Sequence, residues 1–211
     1  RGWAGDEPLI DLMSVRVRQL LADSGQSSGP IMGFERVSEE DLSTILTRVD
    51  QYATGASVRL EMVALEDVYS WARYAHSYKQ RQAERMAVQL RGAGLQAFEP
   101  FTVRYADGTG SIALPPIVEV VDSSRYVVVN GVSRLLHLHR EGQREALCAV
   151  VRNVQAPPPA REVVRLSELP VMIGRRGGEP SHRFPEFSLA NMRTVERVAH
   201  TLALLRSSRI E

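Results

Sequence analysis

Residues 116–142 read PIVEVVDSSRYVVVNGVSRLLHLHREG, and this stretch decides the fold. Ile117 to Val121 is an apolar, mostly β-branched run broken only by Glu119, and Arg125 to Val129 is a second such run. Asp122, Ser123 and Ser124 between them supply turn chemistry, so the two runs predict a hairpin. Asn130-Gly131 then breaks the second strand. Ser133 stands where an N-cap would open a helix carrying Leu135, Leu136 and Leu138, stopped near Gly142. The chain is thus delivered from a strand into a helix N-terminus, where backbone N–H groups and the positive end of a helix dipole favour an anion. Gly131 allows close approach and Arg134 adds a fixed charge, so residues 130–134 read as a phosphate cradle.

Outward from this unit the periodicities alternate between helix and strand. Leu9, Leu12, Met13, Val17, Leu20 and Leu21 recur at helical spacing, and residues 26–33 read as a glycine-containing loop. Ser38-Glu39-Glu40-Asp41 resembles a capping box before Leu42, Ile45, Leu46 and Val49. Val58, Leu60 and Met62 alternate with Arg59 and Glu61 as in a half-buried strand. Ala83, Met86, Ala87 and Leu90 mark an amphipathic helix over residues 80–91, whose arginines read as a solvated face. Residues 105–110 predict a turn between Val103 and Ile112, hence a further hairpin, and residues 146–152 a strand. Ala156-Pro157-Pro158-Pro159-Ala160 ends the central unit. Residues 163–169 read as a short strand or turn, and Ser188 opens a last helix with Leu189, Met192, Val195, Ala199, Leu202 and Leu205 on one face. The expected organisation is an N-terminal helical extension over 1–56, a central module over 57–155, and a Pro-rich linker with a C-terminal helical extension over 156–211.

With 26 basic against 25 acidic residues, no global charge pulls the chain toward nucleic acid or a membrane, and any such binding must come from a local patch. Such a nucleic-acid patch is offered by Arg175 and Arg176 with Arg193 and Arg197, although Glu186 and Glu196 interrupt it. The single cysteine, Cys148, excludes an internal disulfide, reads as a buried small hydrophobe, and fits a cytoplasmic protein. No stretch has the apolar length of a membrane span. His137 and His139 are two apart on a helix and so on different faces, and no metal site is expected. Familiar hydrolase and nucleoside-triphosphatase motifs are missing.

The pattern strand, Asn130-Gly131-Val132-Ser133-Arg134-Leu135, helix, Gly142, strand resembles the ParB/sulfiredoxin-like superfamily. The likeness extends upstream through the helix over 80–91, Gly94-Leu95 and Pro100-Phe101-Thr102-Val103, and covers about residues 57–154. It implies an α+β fold, a small mixed sheet with packed helices plus helical additions at both ends. It also implies a bacterial nucleotide-binding module with a regulatory or DNA-related role. CTP or ATP with Mg²⁺ is then the expected ligand, its phosphates held by Asn130, Gly131, Ser133 and Arg134, with Arg73, in the family's arginine-bearing loop, as a second contact. DNA, a protein partner or a second copy are the partners such a module implies.

The chain departs from the family in having Asn130 for the usual Asp and Ser133 for the usual His, and it lacks the sulfiredoxin cysteine at this turn. The catalytic residues therefore stay unknown. A nucleotide-dependent phosphotransferase or nuclease of the same fold would need a carboxylate near the turn, for which Glu66, Asp67 and Glu99 are the candidates. A protein-interaction module with a decayed nucleotide site is the third reading.

Overall fold

The structure, a computed structural model, describes residues 31–49, 52–92, 95–105, 110–122, 125–155 and 163–173. The expected helices near residues 9–21 and 188–205 and the basic loop at 174–178 lie outside them.

The chain is a mixed α+β protein. In order, the elements are β1 (Ile31–Arg36), α1 (Glu39–Leu46), β2 (Ser57–Ala64), β3 (Val68–Ser70), β4 (Ala75–His76), α2 (Ser77–Gly92), β5 (Phe101–Tyr105) and β6 (Gly110–Ala113). They continue with β7 (Ile117–Asp122), β8 (Arg125–Asn130), α3 (Val132–Arg140), β9 (Glu145–Arg152), β10 (Val164–Arg165) and β11 (Val171–Met172). Six strands form the main sheet in the order β10-β3-β8-β7-β9-β2. β7 and β8 pair antiparallel as the expected hairpin, with Asp122 opposite Arg125, while β7 runs parallel to β9 and β3 parallel to β8.

The unbroken apolar runs of the hairpin have a tertiary cause: the sheet is covered on both faces. Val118, Val128, Cys148 and Val150 point to the side of α2 and α3, where Leu90, Leu135, Leu136 and Leu138 complete the larger core. Ile117, Val127, Val129, Ala149 and Val151 alternate to the other side, where they meet Leu42, Ile45, Leu46 and Tyr52. α1 is therefore part of the sheet's second core. Its start is built as the sequence implied, with Ser38 Oγ accepting from the Asp41 N–H at 3.1 Å.

Two local expectations change, and the short strand or turn read over 163–169 is met. The loop expected over 26–33 gives way at Ile31 to β1, which pairs with β5 across some 65 residues of sequence, β5 in turn forming the expected hairpin with β6. Ser133 does not cap α3: Gly131 is the N-cap, at φ 96°, and Ser133 is already inside the helix. At this corner the chain turns through a left-handed residue, and glycine takes that conformation without Cβ strain. Residues 163–173 add β10 to the sheet edge beside β3, then a short 3₁₀ turn that sends Leu166 and Leu169 into the larger core, so this stretch packs on the module.

Candidate functional site

The corner between β8 and α3 borders a cavity of about 260 Å³, closed on the other side by β4 and the first turns of α2. Its polar lining includes His76, Lys79, Gln82, Asn130, Ser133 and Arg134, and no aspartate or glutamate among the described residues lines it. The first intrahelical bonds of α3 run from the Arg134 and Leu135 N–H groups to the Gly131 carbonyl, at 2.9 and 3.0 Å. The N–H groups of Val132 and Ser133 precede them at the end of the helix where donors have no intrahelical acceptor.

Gly131 is required by space as well as by φ. A Cβ there would stand 2.9 Å from Arg134 Nη2 and 3.0 Å from Pro116 Cα. Arg134 lines the cavity but spends its guanidinium on the protein. Nη1 donates to the Leu114 carbonyl at 2.5 Å, Nη2 donates to Asn130 Oδ1 at 3.2 Å, and the group lies 5.7 Å from the centre of the Phe98 ring. It thereby ties the segment entering β7, the end of β8 and the segment after α2 into one corner, the use for which a planar five-donor group is suited. Asn130 likewise holds Arg134. Their roles here are positioning ones.

Lys79, which sequence reasoning passed over, is the cation in the lining that comes from the facing helix. It is exposed and has no ion-pair partner among the described residues. It stands in the first turn of α2, a turn without acidic residues that begins three residues before the helix expected over 80–91, so neither its place on the helix nor the way its side chain faces was legible. Gln80 of the same turn donates from Nε2 to the Ser133 carbonyl at 3.2 Å and so fastens α2 to α3 beside the cavity. His76 packs edge-on to Tyr74 with ring centres 5.1 Å apart and lies 5.3 Å from the Tyr78 ring. Arg73 is exposed and does not line the cavity, although Ala72 and Tyr74 on either side do.

The carboxylates considered for acid–base work lie elsewhere. Glu99 pairs with Arg36 at 2.7 Å and accepts from the Gln96 N–H, while Glu66 lines a separate recess with His139 and Glu145. Asp67 belongs to the 3₁₀ turn before β3 and does not reach the lining. Arg175, Arg176, Arg193 and Arg197 fall outside the described residues. Cys148 is fully buried, and burial pushes its thiol up to about 12 against the opposing influence of Arg134.

No family model matches the chain, and no curated protein or solved structure matches it. Among the described residues no group of three or more His, Cys, Asp or Glu could hold a metal ion, and no helix is long and apolar enough to cross a membrane.

A second polar feature lies across the sheet. Glu119, the one acidic interruption in the β7 run, points into the α1-side core with none of its surface exposed. Its Oε1 accepts from the Tyr52 hydroxyl at 2.7 Å, and its Oε2 has no partner among the described residues. Burial drives its carboxyl up to about 7, only partly offset by the Tyr52 bond, and burial together with the nearby carboxyl raises the Tyr52 phenol.

Proposed function

We propose that the chain is a nucleotide-binding module of the ParB/sulfiredoxin-like kind, with a regulatory or DNA-related role, holding the phosphates of CTP or ATP with Mg²⁺ at the corner of residues 130–134. The observation that carries this reading is the cavity at that corner: it combines a helix N-terminus, a glycine and a lysine, and no carboxylate among the described residues lines it. Lys79, the Ser133 hydroxyl and the Val132 and Ser133 amides are the phosphate ligands. Arg134 and Asn130 hold the corner in shape, and Arg73 beside the mouth meets the part of the ligand that projects outward.

At about 260 Å³ the cavity falls just below the roughly 300–1,000 Å³ of whole small-molecule sites, so it suits a phosphate head with the nucleoside lying outside the mouth. A nucleotide-dependent phosphotransferase or nuclease draws less support, because neither Glu66, Asp67 nor Glu99 reaches the lining to serve as a base.

Calorimetry against CTP, ATP and GTP with Mg²⁺ tests the reading. One of the three binds, and Lys79→Ala weakens that binding at least tenfold, a loss of about 1.4 kcal/mol or more, while leaving the urea midpoint unchanged. No heat with any of the three in the folded wild-type protein overturns it.

A further inference from the structure

The mouth of the cavity does not end at Lys79. On α2 the residues Lys79, Gln82 and Met86 face the cavity, and Tyr78, Arg81 and Arg85 follow them around the helix at i, i+3 and i+7. All three are exposed, Tyr78 to 38%. Neither Arg81 nor Arg85 has an ion-pair partner among the described residues, although Glu84 is in the same turn. By contrast, Arg91 at the far end of the helix is neutralised by Glu141. In a chain whose net charge is only +1, this leaves a cationic stripe on one helix face, continuous with the proposed phosphate cavity and carrying an exposed aromatic ring.

We propose that the α2 face formed by Tyr78, Arg81 and Arg85 is a track for single-stranded nucleic acid, beginning at the mouth of the cavity. Arg81 and Arg85 are one helical turn apart, with Cβ atoms ~5–6 Å from each other, a spacing suited to successive backbone phosphates. The Tyr78 ring, beside His76, offers a π-face to an unstacked base, which a duplex does not present. Two arginines and one aromatic ring make a weak, salt-sensitive and sequence-tolerant surface. The track rests on the nucleotide reading only for its starting point.

Fluorescence anisotropy of a labelled twelve-residue oligothymidylate at several salt concentrations is the test, with calorimetry of the mononucleotides run on the same proteins. The oligonucleotide binds, and the double variant Arg81→Glu/Arg85→Glu weakens it at least tenfold. That variant also lowers the slope of log K against log salt by about 1.4, the value for two phosphate contacts on a single strand. Tyr78→Ala weakens binding roughly tenfold with the slope unchanged. Mononucleotide binding stays as in the wild type in all of these variants. Absence of oligonucleotide binding, or binding that the double charge reversal leaves intact, overturns the track whether or not mononucleotides bind. Equal affinity for polyglutamate or tighter binding of a duplex overturns it too, by pointing to an acidic polypeptide or a double helix. Oligonucleotide binding that fails in the double variant, in a protein that binds no mononucleotide, upholds the track and removes the cavity reading instead.

Discussion

The two faces of the six-stranded sheet handle a buried polar group in opposite ways. On the α2/α3 face, Arg134 is half-buried and bonded to a backbone carbonyl and an amide oxygen beside an aromatic ring, and it lines a cavity. On the α1 face, Glu119 is wholly buried with one oxygen bonded and the other orphaned. The first arrangement stabilises a corner at a helix N-terminus that borders the cavity. The second stores a group that prefers to be neutral inside the core. A sheet with nearly the same apolar sequence on both sides can therefore be open for chemistry on one and closed on the other, depending on what packs over it.

The sharpest way to break that contrast is at Gly131. Gly131→Ala places a Cβ 3.0 Å from the Pro116 backbone at a left-handed φ, and is expected to lower unfolding free energy by roughly 3–4 kcal/mol and to abolish nucleotide binding. Gly142, at φ 79°, closes the other end of α3, where Gly142 N–H bonds the His139 carbonyl and Gln143 N–H the Leu138 carbonyl. A Cβ there meets nothing, so Gly142→Ala costs only the conformational strain, about 1–2 kcal/mol, and spares binding. Urea unfolding of both variants decides; equal losses would show that packing against Pro116 and Arg134 contributes nothing.

A smaller effect probes the closed face. Because burial raises the Glu119 pKa from 4.5 to about 7, the folded protein holds a proton that the unfolded chain has released over that interval. Its penalty is absent below about pH 4.5 and complete above about pH 7, so stability declines as pH rises between them. A loss of about 2–3 kcal/mol between pH 5 and pH 8 is expected in urea titrations, and Glu119→Gln, which can still accept from Tyr52, should flatten it. More acidic conditions are unsuitable for the comparison. There, protonation of Glu61, held ionised by Arg152, and of Glu39, held by the Leu60 N–H and Arg59, removes stability in the opposite sense.

The smallest effect concerns how α1 is set over the closed face. Ser38→Ala removes the N-cap acceptor and is expected to cost about 1 kcal/mol, measured by the same unfolding curves. Nucleotide affinity should be unaffected, since the cap lies across the sheet from the cavity.

Much of the fold was legible because it rests on local signals. The β7–β8 hairpin, the stop of α3 at Gly142 and the Ser38 cap each follow from neighbours within a few residues, where period and turn chemistry act directly. The pairing of β1 with β5 was not, because a short run ending in Gly33-Phe34-Glu35-Arg36 becomes a strand only when a distant edge receives it. The site was half legible. Gly131, Ser133 and Arg134 do border a cavity at a helix N-terminus, but the bonds of Arg134 to Leu114 and Asn130, and the entry of Lys79 from a helix some 50 residues earlier into the lining, could not be read from the sequence. Directions of long flexible side chains depend on which carbonyls and rings lie within reach, and those come from remote segments.

By itself the amino-acid order dictates alternating helix and strand periods, a strand feeding a helix through an obligatory glycine, and runs apolar enough to demand cover on both sides. Only the assembled molecule decides which helix covers which side, that Arg134 bonds Leu114 and Asn130, and that Glu119 is shut away with Tyr52. Local conformational preference is a property of adjacent residues, whereas burial and the partnering of charge are properties of space filled by the whole chain.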